Sequence, residues 1–418
     1  MTHMGFSAGF RWHSENGSSA PEDIVEVDDS LTADKALGML RRGTGLLWSG
    51  DFHNGRQLMT AVGRRLSKAA AGRSGGRRRG KGAGRKAGRG AGRDPQAPQE
   101  TPDTRTLFLR QRADRAKRAA ILGNILVALG PGWTLDLRRA PDVSEACEHA
   151  YGAWPGGGES AEGVEAVVIS LAELQGVLGA WQWHLKGIDI EELGETLYPD
   201  YGVFSPVRNE YVGLVDRAAA TQFGGGSTGK VLEIGTGTGV LAAVLAKQGA
   251  TQVTATDLNE RAVGCARANL ERLGYGDRVE VVTANLWPDA SRYDVIVFNP
   301  PWLPGTPSSD LEQGIYDADS DALRRFLAEL PEHLTPDGEG WLVLSDLAEH
   351  LDLRSREELE GWFTAAGLTV VGREDTAPRH PKARDENDPL HVARSAEATS
   401  LWQLAVDGRH LTATEEDA

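Results

Sequence analysis

The sequence predicts an α/β fold, a doubly wound and mainly parallel sheet in the second half of the chain behind a mainly helical region. Three observations carry that expectation. From Lys230 onward, short apolar runs alternate with stretches of helical period, as in strands joined by crossover helices. The first of those runs ends in Gly235-Thr236-Gly237-Thr238-Gly239, a turn suited to leading from a strand into a helix. Before about residue 200 the apolar residues fall chiefly at helical spacing.

The elements follow in order. Residues 1–31 are polar, contain Ser and acids, show no period, and are expected to be disordered. The accessory region is assigned to 32–200. Within 33–68, Leu37, Leu40, Leu46, Leu47, Leu58, Val62 and Leu66 lie near helical spacing. Residues 69–104, rich in Gly, Arg and Lys and then in Pro and Gln, cannot bury a core and read as a flexible basic insert. Helix resumes over 107–129, with Ile121, Ile125 and Leu129 on one face. A short strand at 166–170 precedes an amphipathic helix at 171–186 that stops at Gly187. The sheet domain spans 201–407, with strands at 230–235, 252–257, 279–284, 293–298, 340–346, 368–374 and 399–406. Its helices are placed at 238–248, 260–273, 320–334 and 355–366. Asn259 and Ser355 stand at N-cap positions, and Glu358 completes a capping box with Ser355. Residues 408–418 form an acidic tail.

Composition narrows the class. A chain of 418 residues suggests about two to three domains, and 40% hydrophobic content supports packed cores. No apolar run reaches the ~18 residues of a membrane span, and Met1 to Trp12 lack a signal-peptide pattern. Cys147 and Cys265 are the sole cysteines, without metal or disulfide spacing. A cytoplasmic setting is expected, or a nuclear one if the basic insert is a localisation signal. Residues 64–93 hold twelve Lys or Arg and no acid, so against a formal net charge of −15 the remainder carries −27. An acidic body with one basic stretch does not resemble a general nucleic-acid coat, although 64–93 can make weak phosphate contacts.

The candidate site sits at strand ends. Gly235, Gly237 and Gly239 let a ligand approach the backbone, and the following helix offers unpaired N–H groups to an anionic end. Nicotinamide enzymes use similar loops. Asp257 closes the second strand eighteen residues after Gly239, where an acid can accept both hydroxyls of a ribose. Leu258 can pack on a face of an adenine. Asn285 can bond the adenine edge, with Leu286 as an apolar wall. Asn299-Pro300-Pro301-Trp302 follows the apolar run 293–298. Two prolines stiffen the turn and remove donors, leaving acceptors beside an aromatic plate. That combination suits a planar NH2 group. Trp181 and Trp183 cannot share a helix face, and His184 reads as a surface histidine. His380 and His391 lie in the loop before the last strand, with no metal-ligand spacing.

The glycine loop, Asp257, Asn285 and Asn299-Pro300-Pro301-Trp302, in this order, resemble the class I S-adenosylmethionine-dependent methyltransferases. Within that class they are similar to the Asn-Pro-Pro-aromatic branch acting on planar nitrogens, which includes release-factor glutamine methyltransferases and RNA base N-methyltransferases. The resemblance covers about 200–407. It implies a Rossmann-like seven-stranded methyltransferase sheet with the last strand antiparallel, and S-adenosyl-L-methionine as cofactor. It also implies cofactor contacts from Glu233, Gly235, Thr236, Gly237, Gly239, Asp257, Leu258, Asn285, Leu286 and Asn299. The segment from Gly202 to Glu210 resembles a Pro-containing segment of release-factor glutamine methyltransferases, which makes Phe204 and Arg208 candidate substrate contacts, and Pro301 of the Asn-Pro-Pro-Trp turn is a third.

On this reading the Asn299 side-chain oxygen and the Pro300 carbonyl hold the two acceptor hydrogens, while Trp302 stacks on the planar group. Positioning is the main contribution, and well-oriented groups can supply on the order of 7–11 kcal/mol. The expected acceptor is a protein glutamine amide. Alternatives are an RNA adenine or guanine exocyclic amine, a small molecule or peptide, and, as a non-enzyme, an inactive methyltransferase-like binding module.

Overall fold

The computed structural model describes residues 3–4, 10–74, 103–156, 163–225, 229–307, 310–378 and 384–407. The basic stretch 75–102, His380 and the acidic tail 408–418 lie outside the described residues.

The C-terminal half is a seven-stranded sheet. Its spatial order is Val279–Thr283, Gln252–Asp257, Lys230–Ile234, Tyr293–Phe298, Leu334–Ser345, Thr399–Val406 and Leu368–Thr376. The first five are parallel to one another. Thr399–Val406 runs antiparallel to both strands that flank it, as expected for the last strand. Every strand expected in this half is present, with ends shifted by a few residues except for Leu334–Ser345, which starts earlier.

Apolar alternation explains the layers, because successive strand residues face opposite sides. Val231, Val295, Val297 and Trp341 pack against helices Val212–Phe223 and Val240–Lys247. Leu232, Ile234, Ile296 and Phe298 pack against Asp321–His333 and Arg356–Ala365 through Phe326, Leu330 and Phe363. Ser355 caps the last of these helices, its Oγ accepting from Glu358 N at 3.1 Å. Asn259 caps Glu260–Arg272 through Arg261 N at 2.9 Å.

The strand order reverses at Lys230–Ile234. Later strands build outward on one side through Gln252–Asp257 and on the other through Tyr293–Phe298. Crevices for ligands form at such a switch point, beyond the carboxyl ends of the strands. Phe298 is in register with Ile234, so Asn299 and Gly235 emerge side by side.

The N-terminal region differs from the mainly helical expectation. It holds a six-stranded sheet ordered His3–Met4, Ile24–Val27, Gly45–Trp48, Ile125–Leu129, Ala166–Ser170 and Phe10–Trp12. Ile24–Val27 and Phe10–Trp12, expected to lack structure, are strands of it. Leu46 and Leu47, and likewise Ile125 and Leu129, belong to strands rather than to the flanking helices. The reason is physical: a four- or five-residue apolar run has no distinguishing period, and burial in a sheet decides its state. Gly45–Trp48 and Ile125–Leu129 are almost wholly buried. The capped helix Leu171–Lys186, with Ser170 as N-cap and Gly187 as C-cap, conforms to expectation, whereas Phe52–Ser74 runs six residues into the stretch expected to be flexible and Thr104–Leu122 starts and stops earlier than expected.

This region meets the C-terminal half at the rim of the switch point. Phe108, on Thr104–Leu122, is buried with Leu303, Tyr316, Leu347 and Leu390. Burial of such a ring stabilises by roughly 1.5–3 kcal/mol. Arg112 donates to the Thr306 carbonyl at 2.7 Å and lies 3.6 Å over the Tyr316 ring. Among the described residues no helix is long and apolar enough to cross a membrane.

Candidate active site

Gly235, Gly237 and Gly239 all adopt left-handed φ, at 72°, 57° and 84°. Gly239 is doubly constrained, because a Cβ there would also lie 3.3 Å from Ala266 Cα. The loop is stitched to the next strand: Thr236 N donates to the Thr256 carbonyl at 2.8 Å. Gly237 N donates to Asp257 Oδ2 at 2.9 Å, and Asn259 N to Asp257 Oδ1 at 2.9 Å. Burial raises the Asp257 carboxyl, and the Asn259 and Gly237 N–H groups oppose that rise. Each of its oxygens keeps a further lone pair for a ligand hydroxyl.

Glu233 is fully enclosed beneath this loop, and its Oε2 accepts from the Thr236 hydroxyl at 2.6 Å. Burial pushes its carboxyl up to about 8, against the pull of the Thr236 hydroxyl and the Ala242 N–H. Leu258 is 62% exposed beside Asp257, an apolar face open at the mouth, and Asn285 is exposed at the end of its strand. Leu286 departs from the expected wall. Only 6% exposed, it joins the core with Ile234 and Phe298, and its φ is 69°. A left-handed leucine costs about 1–2 kcal/mol. The buried Thr256 hydroxyl helps hold that turn by donating to the Leu286 carbonyl at 3.1 Å.

Around Asn299 the arrangement is tighter than the sequence suggested. Trp302 Nε1 donates to Asn299 Oδ1 at 2.9 Å. Tyr211 shares a side-chain hydrogen bond with Asn299, and its ring meets Trp302 edge-on at 6.4 Å. Burial raises the Tyr211 phenol, helped by the Glu233 and Glu210 carboxylates, so it remains a neutral hydroxyl. The Arg208 guanidinium lies 5.2 Å over the Trp302 ring. The expected stacking plate is thus partly committed to Asn299, Tyr211 and Arg208. Pro300 is buried and Pro301 half-buried.

Arg208 also departs from the expected substrate contact. Its Nη2 donates to Glu397 Oε1 at 2.8 Å and to Glu210 Oε1 at 3.5 Å. Both carboxylates are buried, and the Ser345 hydroxyl donates to Glu397 Oε1 at 2.7 Å. One arm of the Arg208 fork is thus committed to these two carboxylates while its plane lies over Trp302. Phe204 is half-buried. Its carbonyl lies 3.7 Å from where a Cβ on Gly237 would sit, so its segment roofs the glycine loop. Sequence reasoning missed Tyr211, Glu210 and Glu397 as site residues. Tyr211 and Glu210 carry a signal, being next to Arg208, whereas Glu397 arrives from a distant loop with none.

The loop and its surroundings fit an adenosine-type cofactor: left-handed glycines at a helix start, an acid with spare lone pairs, and an exposed leucine beside it. With the seven-stranded sheet, they define a class I S-adenosylmethionine-dependent methyltransferase domain, and S-adenosylmethionine is its cofactor. Residues 202–368 match the family described as the methyltransferase small domain.

Known relatives agree. Over 167 residues the chain is 29% identical to a Methanocaldococcus jannaschii protein provisionally named protein N5-glutamine methyltransferase, across 38% of this chain and 80% of that one. It is 33% identical over 116 residues to the tRNA1(Val) (adenine(37)-N6)-methyltransferase of Glaesserella parasuis, across 26% of this chain and 48% of that one. It is 30% identical over 181 residues to the release factor glutamine methyltransferase of Gloeobacter violaceus, across 40% of this chain and 59% of that one. The chain therefore spans only about half the length of the latter two.

Proposed function

We propose that the chain methylates the side-chain amide nitrogen of a protein glutamine. The observation that carries this reading is Asn299 Oδ1, held at the switch point by the Trp302 indole; a carbonyl oxygen has a second lone pair that can accept from an acceptor N–H. A planar amide is a poor nucleophile because its lone pair is delocalised. Holding its hydrogens on Asn299 Oδ1 and the Pro300 carbonyl favours the pyramidal geometry that frees the lone pair. S-adenosylmethionine, when bound, supplies a methyl group activated on a sulfonium. Asp257 and the glycine loop bind and orient its adenosine part, Leu258 covers the adenine, and Asn285 meets its edge. Two of the relatives carry glutamine methyltransferase names, which supports the same acceptor.

A second reading, an RNA base amine, is favoured by one observation. The helices Phe52–Ser74 and Thr104–Leu122 expose Arg64, Lys68, Arg110, Arg115, Lys117 and Arg118, and the second of them reaches the site rim through Arg112. Clustered cations of this kind suit phosphates.

Labelled S-adenosylmethionine in extract from cells lacking the protein separates the two. Label that protease removes and RNase spares, mapping to glutamine, is the expected result. Label lost to RNase replaces it with the RNA reading, and no transfer to either defeats both.

A further inference from the structure

A cluster of metal-ligating side chains lies away from the methyl-transfer site. His149 stands in the last turn of helix Ser144–Tyr151, His184 in the last turn of Leu171–Lys186, and Asp200 in the segment leading to the methyltransferase domain. We propose that His149, His184 and Asp200 bind a divalent transition metal, zinc foremost, at the joint between the two halves of the chain.

The distances fit. His149 Nε2 lies 3.2 Å and His184 Nδ1 3.1 Å from Asp200 Oδ1, and the three ligand atoms lie within 4.8 Å of one another. Zinc bonds of about 2.0–2.1 Å in tetrahedral geometry put ligand atoms roughly 3.3–3.4 Å apart. Two edges of such a site are therefore nearly formed, and the third is no longer than 4.8 Å. The Pro199 carbonyl, 3.2 Å from His184 Nδ1, or water completes the fourth position.

As a hydrogen-bond cluster alone, the arrangement is crowded. Two imidazoles with centroids 4.1 Å apart converge on one carboxylate oxygen, and a metal satisfies all three groups at once.

The surroundings hold the ligands as metal sites require. Trp181 stacks on the His184 ring at 5.3 Å and 10°. The buried Cys265 thiol donates to the Tyr198 carbonyl at 3.5 Å, two residues before Asp200. Tyr198 is tied at both N and O to the buried Asn269, at 2.9 and 3.0 Å. Asn269 belongs to helix Glu260–Arg272, whose cap Asn259 follows Asp257 by two residues. A metal here would clip two helices of the N-terminal region to the helix that begins at the cofactor acid.

The test uses the untagged full-length chain, stripped by chelator, then titrated with cobalt(II) and afterwards zinc(II). The expected result is the intense visible spectrum of tetrahedral cobalt, saturating at about one ion per chain and bleached by zinc. His184→Ala and Asp200→Asn should each abolish that spectrum while matching the wild-type melting temperature in chelator. Cobalt that keeps the weak spectrum of the hydrated ion overturns the proposal, as does undiminished binding by both variants. The readout does not depend on methyl transfer, so it stands or falls apart from the acceptor.

Discussion

Trp302 Nε1 donates to Asn299 Oδ1 at 2.9 Å, so the indole that follows the two prolines orients the amide that precedes them. The turn closes on itself. Tyr211 bonds the same amide, and Arg208 caps the indole face. Trp302 is thereby a positioning residue for Asn299 in addition to any contact with the acceptor.

Trp302→Phe keeps an aromatic ring and removes the donor. It is expected to lower kcat about tenfold or more while leaving cofactor affinity within about twofold, the pattern of lost orientation. Steady-state kinetics with a calorimetric cofactor titration checks this, and an unchanged kcat would show that the hydrogen bond has no positioning role.

Asn299→Ala removes the acceptor itself. Turnover should fall at least about a hundredfold with cofactor binding nearly intact. Normal turnover in that variant removes Asn299 from the mechanism.

Asp257→Ala acts on the other partner. Its carboxylate accepts from Gly237 N and Asn259 N, and on the proposed reading it also holds the ribose. Cofactor affinity should weaken at least about tenfold, roughly 1.4 kcal/mol, with a smaller loss of thermal stability from the freed loop. Equal affinity in the variant and the parent, measured by calorimetry, would exclude the ribose role.

Glu233 makes stability depend on pH. Its carboxyl is raised from 4.5 to about 8 by burial, so the folded protein binds this proton more tightly than the unfolded chain does. The Glu233 contribution is fully present below about pH 4.5 and is lost as pH rises through about 8. In the ligand-free protein, Glu233→Gln should flatten the fall in melting temperature across that window. Parallel pH profiles for variant and parent would show that Glu233 is not the titrating group.

Much of this was legible in the chain. The alternation after Lys230, the glycine turn, Asp257 and Asn299 to Trp302 are local signals, and each lies where the pattern put it. The burial of Leu286 was not legible because its side direction depends on a left-handed φ that no neighbouring residue announces. The ion pair of Arg208 was not legible because its partner Glu397 is 189 positions away. The N-terminal sheet was hidden in short apolar runs, which suit a helix or a strand equally until a neighbouring strand pairs with them.

By itself the sequence determined the sheet domain, its glycine loop and the stiff Asn-Pro-Pro-Trp turn, because backbone freedom at glycine, its restriction at proline and apolar periodicity are local properties. The tertiary structure decided what Trp302 and Arg208 are for, what Leu286 packs against, and that His149, His184 and Asp200 meet. Those outcomes rest on contacts between residues far apart in the chain, where packing and hydrogen-bond satisfaction choose the partner and local sequence does not.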